Sequence, residues 1–162
     1  YYDKPLTKTL FAQLNFDIAD NGDFYVSFEA DSLMYRYDHD YNQLACFGFA
    51  GRDMDLNYLR WDSYDQPWKE RLAERMARGF YNAVEYVDET GLLFRSYRKG
   101  GGSATDGLQV YRDGVLVGDV DVPQGFRMAG YVEPYYYSYV VSDEEGERLY
   151  MFRFKWPSAP EE

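Results

Sequence analysis

Short aromatic and β-branched runs, each ended by a glycine- or asparagine-bearing turn, limit this chain to antiparallel sheets of short strands. "QLNFDIAD" reaches Asn21-Gly22, a two-residue hairpin signal. "FYVSFEA", "SLMYRYD", the turn "HDYN" and "QLACFGF" complete a first group of four runs. In the third run Leu33, Tyr35 and Tyr37 share one face, and Met34 and Arg36 share the other. A second group follows: "FYNAVEYVD", the turn "ETG", "LLFRSYRK", the loop "GGGSATDG", "LQVYR", the turn Asp113-Gly114 and "VLVGDVDVP". A third has "RMAGYVEP", "YYYSYVVS", the turn "DEEGE" and "RLYMFRFKW". An aromatic share of 20%, with 18 Tyr, suits this reading, because such rings pack on a pleated, half-buried surface.

Groups of four antiparallel strands recurring about every fifty residues predict the blades of a β-propeller. The expected fold is therefore all-β, with about three blade-like groups over 12–56, 80–122 and 126–156, in one partial domain spanning 1–162. Phe47 should end the outer strand of the first group, with Gly48 and Gly51 turning the backbone where side chains would clash. One short amphipathic helix is expected over 66–79. Pro67 suits its first turn, Trp68, Leu72 and Met76 recur at helical spacing, Gly79 suits its end, and the charged face should be solvated. A barrel of lipocalin size is the competing fold, disfavoured by the helix in mid-chain and the grouping in fours.

A net charge of −11 argues against nucleic acid and anionic membrane surfaces as partners. No stretch is long and apolar enough for a membrane-spanning helix. The chain opens at Tyr1 without an initiator Met and shows no signal peptide, which reads as a piece of a longer polypeptide. Cys46, the single cysteine, lies in an apolar run and is expected to be a buried small hydrophobe. The lone His39 falls in a turn, so no cysteine–histidine pair is expected.

Asp17, Asp20 and Asp23 in "DIADNGD" have the spacing of a calcium loop without the distant bidentate glutamate, and turn chemistry is the simpler reading. Calcium is the one cofactor this leaves open. The aromatic cluster in "NYLRWDSYDQPW", Tyr58, Trp61, Tyr64 and Trp68, is the best ligand-binding candidate, because rings on a connection can stack on sugars or anchor a protein. Packing of the inserted helix would use the same rings. No catalytic set emerges from spacing.

"ACFGFAGRDMDLNY" resembles the blade-closing element of NHL-like propellers, with Asp53 where glycine is common. "ETGLLFRSYRKG", "GLQVYRDGVLVGDVDVP", "GYVEPYYYS" and "EEGERLYMFRFK" together resemble the C-terminal half of the TolB-like six-bladed β-propeller family of bacterial cell envelopes. That resemblance implies a periplasmic or envelope location, with lipid anchoring through a missing N-terminus. It also implies a noncatalytic module that binds a protein or glycan. The alternatives are a propeller hydrolase or lactonase with a metal on the ring axis, or a structural piece completing a larger propeller. Propellers need about four to eight blades, so three groups leave the ring open. Another part of the polypeptide or a second copy should close it, two copies giving six blades with two-fold symmetry. "PLTKTLFA" (5–12) is a candidate strand for a neighbouring blade.

Overall fold

A computed structural model describes residues 11–59, 67–143, 145–146 and 148–157. The first sheet has the order β1-β2-β3-β4: Leu14–Ile18, Phe24–Phe28, Met34–Tyr37 and Gln43–Phe47. Helix α1, Trp68–Ala77, precedes a second sheet of order β5-β6-β7-β8: Phe80–Val87, Leu92–Arg98, Thr105–Arg112 and Val115–Pro123. The third sheet has the order β13-β10-β9, from β9 Met128–Val132, β10 Tyr135–Ser138 and β13 Arg153–Phe154. A two-strand ribbon, β11 Val141–Ser142 with β12 Leu149–Tyr150, extends beside it. All pairings are antiparallel.

The hairpin turns sit where their residues tolerate the left-handed backbone. Gly22 (φ 86°) closes β1–β2, and Asp113 with Gly114 (φ 50° and 78°) closes β7–β8. The third group departs from the expected three runs. "YYYSYVVS" divides into β10 and β11, and "RLYMFRFKW" into β12 and β13. Ser138, buried at the break, accepts Phe152 N–H on its hydroxyl and donates its own N–H to the Phe152 carbonyl.

The sheets stack face to face, and their first strands lie side by side, β1 against β5 and β5 against β9. One apolar cluster, including Tyr25, Met34, Val84, Leu93 and Tyr111, joins the first sheet to the second. Another, including Leu92, Phe94, Leu108, Val110, Phe126, Met128 and Tyr136, joins the second to the third. The middle sheet is therefore covered on both faces, and six consecutive residues of β6 and of β7 are buried.

Polar groups cross the first junction as well. Arg95, fully buried, donates from Nε to Ser27 Oγ (2.8 Å) and from its guanidinium to the carbonyls of Asp31, Ser32 and Leu33, with its Cζ 3.2 Å from the Tyr81 ring centre. Burial pulls its pKa below the usual arginine range. The edge of β5 is closed by β1: Asn15 Nδ2 donates to the Tyr81 carbonyl (3.2 Å), and Asp17 accepts Tyr86 N–H (2.7 Å).

The two glycines after β4 serve different ends. Gly48 has φ 138°, and a Cβ there would meet Ser32 O at 2.3 Å. Gly51 instead lies beneath the Tyr97 ring, where a Cβ would stand 2.6 Å from Cε2. Gly79 follows the helix for a third reason: a Cβ would strike Met54 Cγ and the carbonyls of Arg98 and Lys99.

Two expectations are corrected. Cys46 is exposed, because it sits on β4, the outermost strand, on a face that no described element covers. The helix docks by its charged side. Glu74 is buried, accepting Leu59 N–H (2.7 Å) and pairing with Arg78 (3.0 Å). Arg75 pairs with buried Glu29 and lies over the rings of Phe80 (4.4 Å) and Phe11 (5.2 Å). Trp68, Leu72 and Met76 are exposed. Ion pairs seated on aromatic rings hold this helix, so its apolar stripe is left outward.

Candidate interaction surface

The first sheet presents a continuous apolar face to solvent, and its register defines that face. Leu14 lies opposite Phe28, Phe16 opposite Val26, and Ile18 opposite Phe24. Val26 then lies opposite Tyr35, Phe24 opposite Tyr37, and Tyr35 opposite Cys46. Side chains directly opposite one another share a face, so these residues form one surface, with Val26 itself buried within it. Leu14, Phe16 and Ile18 are 49%, 58% and 59% exposed. Phe24 stacks on Tyr37 at 5.3 Å, and Phe28 meets Tyr35 edge-on at 6.1 Å. Burial raises the Tyr35 phenol to about 12, and its hydrogen bond to Asp31 adds to the rise.

The alternation in "LNFDI" would ordinarily turn its apolar set toward the core. Here the polar set turns inward, because Asn15 and Asp17 are needed on the exposed edge of β5. Only knowledge of the neighbouring strand could have revealed this. The alternation itself was the available signal, and it does not say which side has a neighbour.

The far end of the stack is also open. Val132 and Tyr135 are opposite one another in the third sheet, and Tyr137 lies opposite Arg153. Val132 is 66% exposed, and Arg153 and Lys155 lie over the Tyr135 ring at 4.7 and 5.1 Å.

The aromatic cluster expected to bind ligand is not assembled as one site among the described residues. Tyr58 donates its hydroxyl to the Gly79 carbonyl (2.8 Å) and packs its ring on Phe11 (4.8 Å), a role in seating the helix end. Trp68 is exposed on the first turn of α1, with the Arg71 guanidinium 5.7 Å from its ring. Trp61 and Tyr64 lie outside the described residues, as does 5–10 of the segment read as an extra strand.

The aspartates of "DIADNGD" have separate partners. Asp17 accepts from Ile18 and Tyr86 N–H, while Asp23 accepts from Arg36 and Asn21. Asp20 donates its N–H to Asp88 (3.0 Å). Nearby, burial raises Glu85 to about 7, and the charge of Asp17 adds to the shift.

No protein-family profile matches the sequence, and no curated protein matches it. The chain is similar in structure to a member of the DUF4221 family from Bacteroides vulgatus, with a TM-score of 0.59 and 10% identity. The match covers 78% of this chain and 39% of that one, so the chain spans about two fifths of that protein's length. At this identity the likeness concerns the fold alone.

Proposed function

We propose that the chain is an arc of a six-bladed β-propeller, in which further blades dock on the open face of its first sheet, and that the completed ring is a noncatalytic binding module. The observation that carries this reading is the outward apolar face of Leu14, Phe16, Ile18, Phe24, Phe28, Tyr35 and Tyr37. A contiguous apolar surface of this kind marks an interface. Side-by-side first strands, with blade faces stacked between them, are the arrangement of sheets around a propeller axis. Similarity to part of a longer DUF4221 protein agrees with an arc rather than a closed ring.

Two copies related by a two-fold axis would complete six blades, with the first sheet of each against the third sheet of the other. The aromatic outer side of the third sheet, Tyr135 and Tyr137 flanked by Arg153, suits that contact. The completed module would bind a protein or glycan partner, and the resemblance to TolB-like propellers supports an envelope location. Sedimentation velocity of the 162-residue chain tests the reading. The expected result is a dimer that Phe16→Lys converts to monomer with its circular dichroism unchanged. A monodisperse monomer that binds no hydrophobic dye would overturn it.

A further inference from the structure

Five described cations pair with carboxylates: Arg36 with Asp23, Arg52 and Lys99 with Asp121, Arg75 with Glu29, and Arg78 with Asp55. Arg98 and Arg127 are among those that do not, and what sets them apart is their place. Both line one cleft; among the described residues neither has a carboxylate within ion-pair distance, and the charge of Asp106, which accepts Gly125 N–H at the cleft wall, reaches Arg98 from farther off. That cleft has two parts, of about 270 Å³ and 410 Å³, joined through Asn82 and Arg127, which border both. Arg127 lies 5.1 Å from the Tyr139 ring centre, and Arg98 lies 5.7 Å from the Phe80 ring centre. Gln13 and Asn15 add amides to the walls. The volumes are at or near the range of small-ligand clefts, roughly 300–1,000 Å³.

Asn82 is placed there by a β-bulge. Tyr81 lies opposite Tyr97 and Ala83 opposite Ser96, so Asn82 has no partner across the ladder. Bulges re-aim side chains and recur beside functional sites. The Asn82 Oδ1 atom is shielded from solvent and, among the described residues, has no hydrogen-bond donor. A buried acceptor left in this state is unfavourable, and a donor entering from the cleft would satisfy it. The cleft thus combines guanidinium groups that no carboxylate touches, with Asp106 the nearby charge on Arg98, together with amides, flat aromatic walls and one unmet acceptor.

We propose that this cleft binds a small hydroxylated carboxylate of the uronic-acid class, with the carboxylate on Arg127 and Arg98 and a ring hydroxyl donating to Asn82. Arginine suits the first contact because its planar fork matches a carboxylate. The walls come from one chain, although Leu14 and Phe16 of the first sheet's open face border the smaller part.

The test is calorimetric titration of the whole chain with glucuronate, alongside glucose, which lacks the charge, and acetate, which lacks the hydroxyls. Saturable glucuronate binding is expected, at least about tenfold tighter than either control. Arg127→Gln should weaken it about tenfold or more, Arg127→Lys less, and Asn82→Asp should abolish it by setting a second carboxylate on the cleft floor. Arg127 is exposed, so its variants should unfold at the wild-type temperature. Absence of saturable glucuronate binding, equal binding of glucose or acetate, or indifference to the Arg127→Gln change would overturn the proposal.

Discussion

Gly107→Ala should destabilise the protein by about 3–5 kcal/mol, because the ring of Tyr97 occupies the space a methyl would need. A Cβ on Gly107 would stand 2.0 Å from Tyr97 Cζ and 2.4 Å from its hydroxyl oxygen. Ordinary contact begins near 3.4 Å, so the ring would have to move by more than an ångström. It has nowhere to go. Tyr97 is fully buried, its opposite edge lies over Gly51, and its hydroxyl is held by Asp119 (2.6 Å) and the Arg52 carbonyl (3.2 Å). Overpacking of this kind costs about 1–3 kcal/mol. Pulling the hydroxyl from a carboxylate adds about 1.5–3 kcal/mol. With a urea slope of about 2 kcal/mol/M, the unfolding midpoint should fall by roughly 1.5–2.5 M. Equilibrium urea unfolding followed by circular dichroism reads this directly. Tyr97→Leu in the Gly107→Ala background should cost much less than Tyr97→Leu alone, since the methyl then fills space the ring has left. A midpoint shift below about 0.3 M, or additive single and double variants, would refute the reasoning.

Three further outcomes follow from particular contacts. The folded pKa of Glu85, about 7, lies above its unfolded value of 4.5, so the native state holds the extra proton between them. Stability from this group is full below about 4.5 and lost as pH rises through 7, by at most about 3 kcal/mol and less with solvent screening. Glu85→Gln should therefore flatten the pH dependence of thermal unfolding between pH 5 and 8 (roughly the window set by those values) and raise stability at its upper end; an unchanged profile would contradict the assignment. Arg75→Ala should cost about 3–5 kcal/mol in urea unfolding, because it leaves the Glu29 carboxylate buried without its partner; a loss under about 1 kcal/mol would mean that the ion pair does not seat the helix. Trp68→Ala, at a ring 66% exposed, should change stability by less than about 0.5 kcal/mol, and a loss of about 2 kcal/mol would show the helix to be held by its apolar stripe after all.

The local devices of this fold were written plainly in the chain. Asn21-Gly22, Gly91 and Asp113-Gly114 mark turns because few other residues accept their backbone angles, and these turns set the hairpins of the first two sheets. Burial was harder to read, because it depends on partners far along the chain. The stripe Trp68, Leu72, Met76 has the periodicity of a core face, yet the helix is fixed by Glu74 and Arg75 to residues distant in sequence. Cys46 reads as core for the same reason, and the missing neighbour lies outside what local pattern encodes. The cleft was illegible too. Arg98 ends β6, Arg127 precedes β9, and Asn82 reaches them only through a bulge that no residue pattern in "FYNAVEYVD" announces.

The most direct test of the account is how accessible the outer side of the first sheet is in solution. A chain carrying Ile18→Cys and Cys46→Ser can be alkylated over a range of protein concentrations, with the reaction rate read against that of a short unfolded peptide. The account predicts rates near the peptide's in dilute solution and at least about tenfold protection as the chain associates, in step with its mass. Unprotected, peptide-like reaction at every concentration, in a chain that stays monomeric, would contradict it.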